Sequence, residues 1–207
     1  MPELRIETVA EPLASDLRAC WAAAHLVARA QHVGALPSLT EAQELGRPLL
    51  AAALTGLAVH GVARDAGLAL RTALTGEDFR LLLEVAHDQL EQSPIPAGTW
   101  PVLTPLLGEE LLAALVDVSA ASLRRYSQGV RTTPGSVAQR LHFLALLVAD
   151  LSGAYNEYGI RRWFARPRQQ LGGLAPYDLL VHGFDADARP ALRVRELVDG
   201  LTAAGAA

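Results

Sequence analysis

The sequence predicts an all-α fold, and three observations carry that expectation. About half of the 207 residues are apolar but only 5% are aromatic, so the apolar surface belongs mostly to alanine and leucine, which are strong helix formers. Valine, isoleucine and threonine are too scattered to suggest a sheet. Apolar residues recur at spacings of three and four over several long segments, the period of one helix face. At this length the chain holds one large or two small domains.

The elements follow in order. Residues 13–33, LASDLRACWAAAHLVARAQHV, predict a helix with Leu13, Leu17, Cys20, Trp21, Ala24 and Ala28 on its buried face, stopped by Gly34 and Pro37. Cys20, the only cysteine, reads as a small buried hydrophobe and has no second cysteine to bridge. A helical segment follows from residue 38, capped by Thr40 and split or kinked by Pro48. Residues 62–74 carry no clear period. Thr75 caps GEDFRLLLEVAHDQLEQ, whose first turn holds acids where the helix dipole favours them. The stretch SPIPAGTWP, 93–101, predicts a linker, drawn over 93–107, after a helical domain of residues 1–92.

The second half is more sharply punctuated. GEELLAALV, 108–116, predicts a short apolar helix, and SAASLRRYSQG, 119–129, a second one with Ser119 as cap and Gly129 as stop. Thr133 is expected to cap a long helix that begins at Pro134 and turns Val137, Leu141, Leu144, Val148 and Leu151 toward the core. The last residues, LTAAGAA, are expected to fray.

Charge is distributed unevenly. All 18 basic residues are arginine and the net charge is −4. Residues 119–168 nevertheless hold eight arginines against two acids, whereas residues 1–118 hold seven against fifteen. A basic block between acidic flanks is the footprint expected of a phosphate-binding surface. The richest apolar run, PLLAAALTGLAVHGVA, is broken by Pro48, Gly56, His60 and Gly61, which argues against a membrane span. The N-terminal residues carry mixed charge and no apolar core of a signal peptide, so the expected location is the cytoplasm. The six histidines, His25, His32, His60, His87, His142 and His182, show no ligand spacing of a metal enzyme. With no phosphate-cradling loop and no nucleophile motif either, the sequence predicts neither an enzyme nor a cofactor.

Helix, tight turn, short helix and long scaffold helix is the helix-turn-helix arrangement, here over residues 108–155. In the short helix Leu123 and Tyr126 are three apart and can be buried together. Ser119, Ala121 and Ser122 would let its N-terminus approach DNA closely. Arg124 and Arg125 would reach guanine edges or phosphate, and Arg131 and Arg140 would contact the DNA backbone.

Residues 156–201 carry a second signature. It consists of Tyr158-Gly159, then Trp163-Phe164 and Pro167, then Leu171-Gly172-Gly173, Pro176 and Asp178-Leu179-Leu180. Physically, the aromatic pair anchors a short helix that Pro167 ends. The two glycines permit a tight turn and a close backbone approach, and Pro176 opens the next helix. This pattern resembles the toxin-binding domain of the Xre/MbcA/ParS antitoxin family, and the preceding helix-turn-helix is similar to that family's too. The resemblance covers about residues 108–200. It implies an antitoxin that covers a RES-domain, NAD-degrading toxin and represses its own operon by binding double-stranded DNA, as a homodimer. Carried over, the toxin-facing residues would be Leu171, Gly172, Gly173, Pro176, Asp178 and Leu180, with Arg193, Arg195 and Glu196 on the final helix. The family's members are usually short, whereas this chain has about 100 further residues before the match. That departure keeps open a regulator without a toxin, its first half used to dimerise or to sense, and an adaptor that no longer binds DNA.

Overall fold

The computed structural model describes residues 5–37, 43–70, 72 and 76–205. The fold is all-α in class, with eleven α-helices and one two-stranded ladder among the described residues. The chain divides into two compact units, Met1–Ile95 and Pro96–Ala207. No helix among the described residues is long and apolar enough to cross a membrane.

In the first unit β1 (Ile6–Val9) pairs in parallel with β2 (Gln43–Leu45). Residues 43–45, expected to be helical, are therefore strand. Gly46 is extended, and Pro48 falls in the first turn of α2 (Arg47–Val59), where its missing N–H leaves no bond unmade. Thus Pro48 starts a helix rather than kinking one. The expected caps Thr40 and Thr75 lie outside the described residues.

Helix α1 (Leu17–His32) is capped by Asp16, whose carboxylate accepts the Arg18 and Ala19 N–H groups, both at 3.1 Å. Its buried face is Ala19, Ala23, Leu26, Val27 and Ala30. The stripe expected from the sequence is displaced around the helix: Leu17 is 76% exposed, Trp21 43%, and Cys20 is only half-buried. Two faces of α1 satisfy the three-four period, and the one with the smaller alanines meets α2 and α4 (Gly76–Glu91), where small side chains let helices approach. Gly56 on α2 serves the same closeness. A Cβ there would sit 1.8 Å from the Ala35 carbonyl oxygen, so only glycine fits.

Between α2 and α4 lies the short α3 (Arg64–Ala69). Helix α4 buries Phe79, Leu82, Leu83, Ala86 and Leu90, and runs parallel to α1. Arg80 meets Asp16 at 3.6 Å near the start of both helices, His87 donates to the Ala22 carbonyl at 2.9 Å, and Arg29 pairs with Glu91 at 3.0 Å near their ends. Burial pushes the His87 imidazole down to about 4, with smaller contributions from Arg29 and His25; its hydrogen bond to Ala22 and the Glu91 charge oppose the shift.

The second unit begins with α5 (Pro96–Leu107), which corrects the linker expected over 93–107. Pro101 and Pro105 stand one turn apart on the exposed side, while Thr99, Trp100, Leu103, Leu106 and Leu107 are buried. Proline-rich composition masks a helical period here. Only Ser93–Ile95, ahead of α5, is neither helix nor turn. The C-terminal carbonyls of α5 are held by Arg161, which donates to Leu106 at 2.6 Å and Pro105 at 2.7 Å.

Then come α6 (Glu109–Val116), α7 (Ala120–Ser127) and α8 (Gly135–Leu151). Helix α8 is the unit's axis, buried on every side from Leu141 to Leu151 with α5, α6 and the last helix packed around it. Its expected core stripe is buried throughout. The cap is Pro134 and not Thr133. The Thr133 hydroxyl instead accepts the Trp100 indole N–H at 3.0 Å. Helices α9 (Glu157–Phe164), α10 (Pro176–Leu180) and α11 (Arg189–Gly205) complete the unit. The terminal segment expected to fray stays helical through Gly205.

Candidate nucleic-acid interface

The turn between α6 and α7 is tight. Asp117 takes the left-handed conformation at φ 57°, and Ser119 returns the chain to an extended one. The Ser119 hydroxyl accepts the Ser122 N–H at 3.2 Å and lies 3.0 Å from the Ser122 hydroxyl. This satisfies one of the open N–H groups at the start of α7. Gly129, at φ 69°, ends the helix.

The faces of α7 are sharply divided. Leu123 and Tyr126 are buried, and the Tyr126 ring stacks on Trp100 with centroids 6.0 Å apart. Ala120, Ala121, Arg124, Arg125 and Gln128 are exposed. Small residues at the front and cations behind them are the arrangement that a groove-entering helix would need. Arg131, also exposed, holds its guanidinium 5.7 Å over the Tyr126 ring.

The basic block is not a uniform phosphate surface. Arg124 grips Glu109 with Nε at 3.0 Å and Nη2 at 2.7 Å from Oε2. That contact holds the Glu109 carboxyl below its usual range and the Arg124 guanidinium above its own. Arg140, expected on the DNA backbone, is half-buried and committed elsewhere: it donates to the Val116 carbonyl at 2.7 Å and the Phe184 carbonyl at 3.1 Å. Arg161 is spent on α5, and Arg168 stacks over the Trp163 ring at 5.4 Å. The exposed cations on and just after α7 are Arg124, Arg125 and Arg131, and Arg162 and Arg166 of the same basic block are exposed on and after α9.

The expected toxin-facing run is corrected more heavily. Leu171, Pro176 and Leu180 are buried inside the unit. Gly172 and Gly173 have φ of 74° and 85°, but a Cβ on either would meet open space, so they serve the turn and not a close approach. The Asp178 carboxylate accepts the Ala175 N–H at 2.9 Å and caps α10. Arg193 donates to the Gln170 carbonyl at 3.1 Å, tying α11 to the preceding turn. Arg195 is half-buried and Glu196 is exposed. The apolar surface left around this corner is Tyr158, Leu174 and Leu192, 70%, 45% and 40% exposed. Tyr158 belongs to the signature read from the sequence, whereas Leu174 and Leu192 were missed. Leu174, placed directly after the glycine turn, is the one a turn argument would have found.

A cleft of about 290 Å³ lies between the α6–α7 turn and α10, lined by residues including Asp117, Ser119, Tyr177 and His182. His182, like Asp117, is left-handed, at φ 63°. Such conformations are uncommon outside glycine. The sequence signal that was available is the His182-Gly183 pair, whose glycine is also left-handed at φ 75°. No protein-family model, curated protein or solved structure matches the chain.

Proposed function

We propose that this chain is an antitoxin-type regulator that reads double-stranded DNA with α7, represses its own operon as a homodimer, and neutralises a RES-domain toxin through its α9–α11 segment. The observation that carries the DNA half is the division of α7, with Leu123 and Tyr126 anchoring one side and Ala120, Ala121, Arg124 and Arg125 open on the other. A single eight-residue helix touches few base pairs, so pairing of two copies on two half-sites fits the reading. The toxin half rests on the resemblance of residues 158–180 to the Xre/MbcA/ParS toxin-binding domain.

One observation favours a regulator without a toxin. Leu171, Pro176 and Leu180 of the run that carries the resemblance are core in this chain, so its outward-facing residues are Gly172, Gly173, Leu174 and Asp178, with Tyr158, Leu192 and Glu196 on the flanking helices. Co-purification from the host, with bound protein and bound DNA both identified, separates the two. A stoichiometric RES-domain partner supports the antitoxin, and a discrete DNA site with no such partner supports the stand-alone regulator. Titration of DNA from upstream of the gene tests α7 itself. Arg125→Ala combined with Arg131→Ala is expected to weaken binding at least tenfold and to flatten its salt dependence, because two phosphate or base contacts and their released counterions are lost. Unchanged binding in that variant sinks the assignment of α7.

A further inference from the structure

We propose that Arg140 and Gly183 are positioning residues for α7, joining the α10–α11 loop to the turn that sets the angle of that helix. The inference rests on the reading of α7 as the DNA-contacting helix. Arg140 stands on α8 and donates in two directions. Nη1 reaches the carbonyl of Val116, the last residue of α6, at 2.7 Å, and Nε reaches the carbonyl of Phe184 at 3.1 Å. One planar guanidinium thus fixes the separation of two carbonyls that belong to different parts of the unit.

The residues beside those carbonyls are conformationally unusual. Asp117 follows Val116 at φ 57°, and His182 and Gly183 precede Phe184 at φ 63° and 75°. A Cβ on Gly183 would lie 2.9 Å from Asp117 Oδ2 and 3.4 Å from Arg140 Nη2, so the loop sits against the turn, and the left-handed φ of 75° strains any side chain placed there. Phe184 is itself held edge-on against Phe143 of α8 at 5.3 Å. Ser119, the cap of α7, comes two residues after Asp117. Strained residues on both sides of one contact mark a junction that the surrounding structure holds in place. Loss of the Arg140 guanidinium frees the Val116 and Phe184 carbonyls together, the Asp117 turn loosens, and α7 loses its aim.

The same arginine as a phosphate contact predicts something different, which makes the two roles separable. The test measures DNA affinity of the full chain across a salt series, and amide hydrogen exchange of residues 117–123, for the parent, Arg140→Gln, Arg140→Lys and Gly183→Ala. Positioning predicts at least a tenfold loss of affinity in all three variants, an unchanged salt slope, faster exchange at 117–123, and no rescue by lysine. A salt slope lower by about one in Arg140→Gln, full binding in Arg140→Lys, or a silent Gly183→Ala would overturn the proposal in favour of a phosphate contact. Circular dichroism confirms that each variant is folded, and if Gly183→Ala is not, the lysine variant decides alone. Should the parent bind no DNA, the function assigned to α7 fails, and exchange still decides the link: unchanged protection at 117–123 in the folded variants sinks it.

Discussion

Arg29 of the first unit and Arg140 of the second are held by opposite kinds of partner. In the first, Arg29 has a side chain only 7% exposed and is neutralised by the Glu91 carboxylate, close to a His87 imidazole that burial keeps neutral. In the second, Arg140, Arg161 and Arg193 donate to backbone carbonyls at the ends of helices and turns. The His87 imidazole titrates, and a carbonyl does not. His87 therefore couples the stability of the first unit to protons, whereas the arginine–carbonyl bonds of the second do not depend on pH. This difference also explains why the charge count overstated the phosphate surface. Much of the basic block holds the second unit together.

The largest effect that sharpens this comparison is Arg29→Met. It removes a buried guanidinium from the Glu91 carboxylate, whose side chain is 35% exposed, and chemical denaturation is expected to show a loss of about 2 to 3 kcal/mol, reduced by solvent screening from that of a fully buried pair. A loss below about 1 kcal/mol would mean that the pair is as weak as one on the surface. Acid comes next. His87 has a folded pKa near 4 against an ordinary 6.5, so below 6.5 the unfolded chain takes up a proton that the folded chain refuses. Stability of the first unit is then lost as pH falls from about 6.5 to 4, by on the order of 2 to 3 kcal/mol at the lower end. Burial of the ring sets most of that loss, and Arg29, His25 and Glu91 around it adjust the size. Amide exchange resolved by residue should show it in 5–95, and His87→Gln should flatten it. An equal acid response in 96–205 would break the comparison. The smallest effect is Arg161→Met, which strips two charged donors from the end of α5. It is expected to cost about 1 to 2 kcal/mol, by the same amount at pH 5 and pH 7.5.

Much of the second unit was legible because its punctuation is local. Ser119 and Gly129 mark the ends of α7, and the stripe from Val137 to Leu151 gives the core face of α8. The first unit was harder to read. Alanine-rich α1 offers two faces with the same spacing, and only packing on α2 and α4 selects Ala19, Ala23 and Leu26 over Leu17 and Trp21. The strand at 43–45 depends on pairing with residues more than thirty positions earlier, which no local pattern records. At α5 the prolines concealed a buried period. In the candidate site, α7 could be read from its neighbours, but the work of Arg140 could not, since its partners lie 24 and 44 residues away.

Those separations have a consequence during synthesis. A chain leaving the ribosome completes α6, α7 and α8 by Leu151, whereas the Arg161 that closes α5 and the Phe184 carbonyl that engages Arg140 are made later. At common elongation rates of roughly 5 to 20 residues per second, the interval from Leu151 to Phe184 lasts a few seconds. Through that interval the nascent chain carries a basic helix whose seat is unfinished. The arginines of α7 are made early in their unit, and the loop that sets their direction is made near its end.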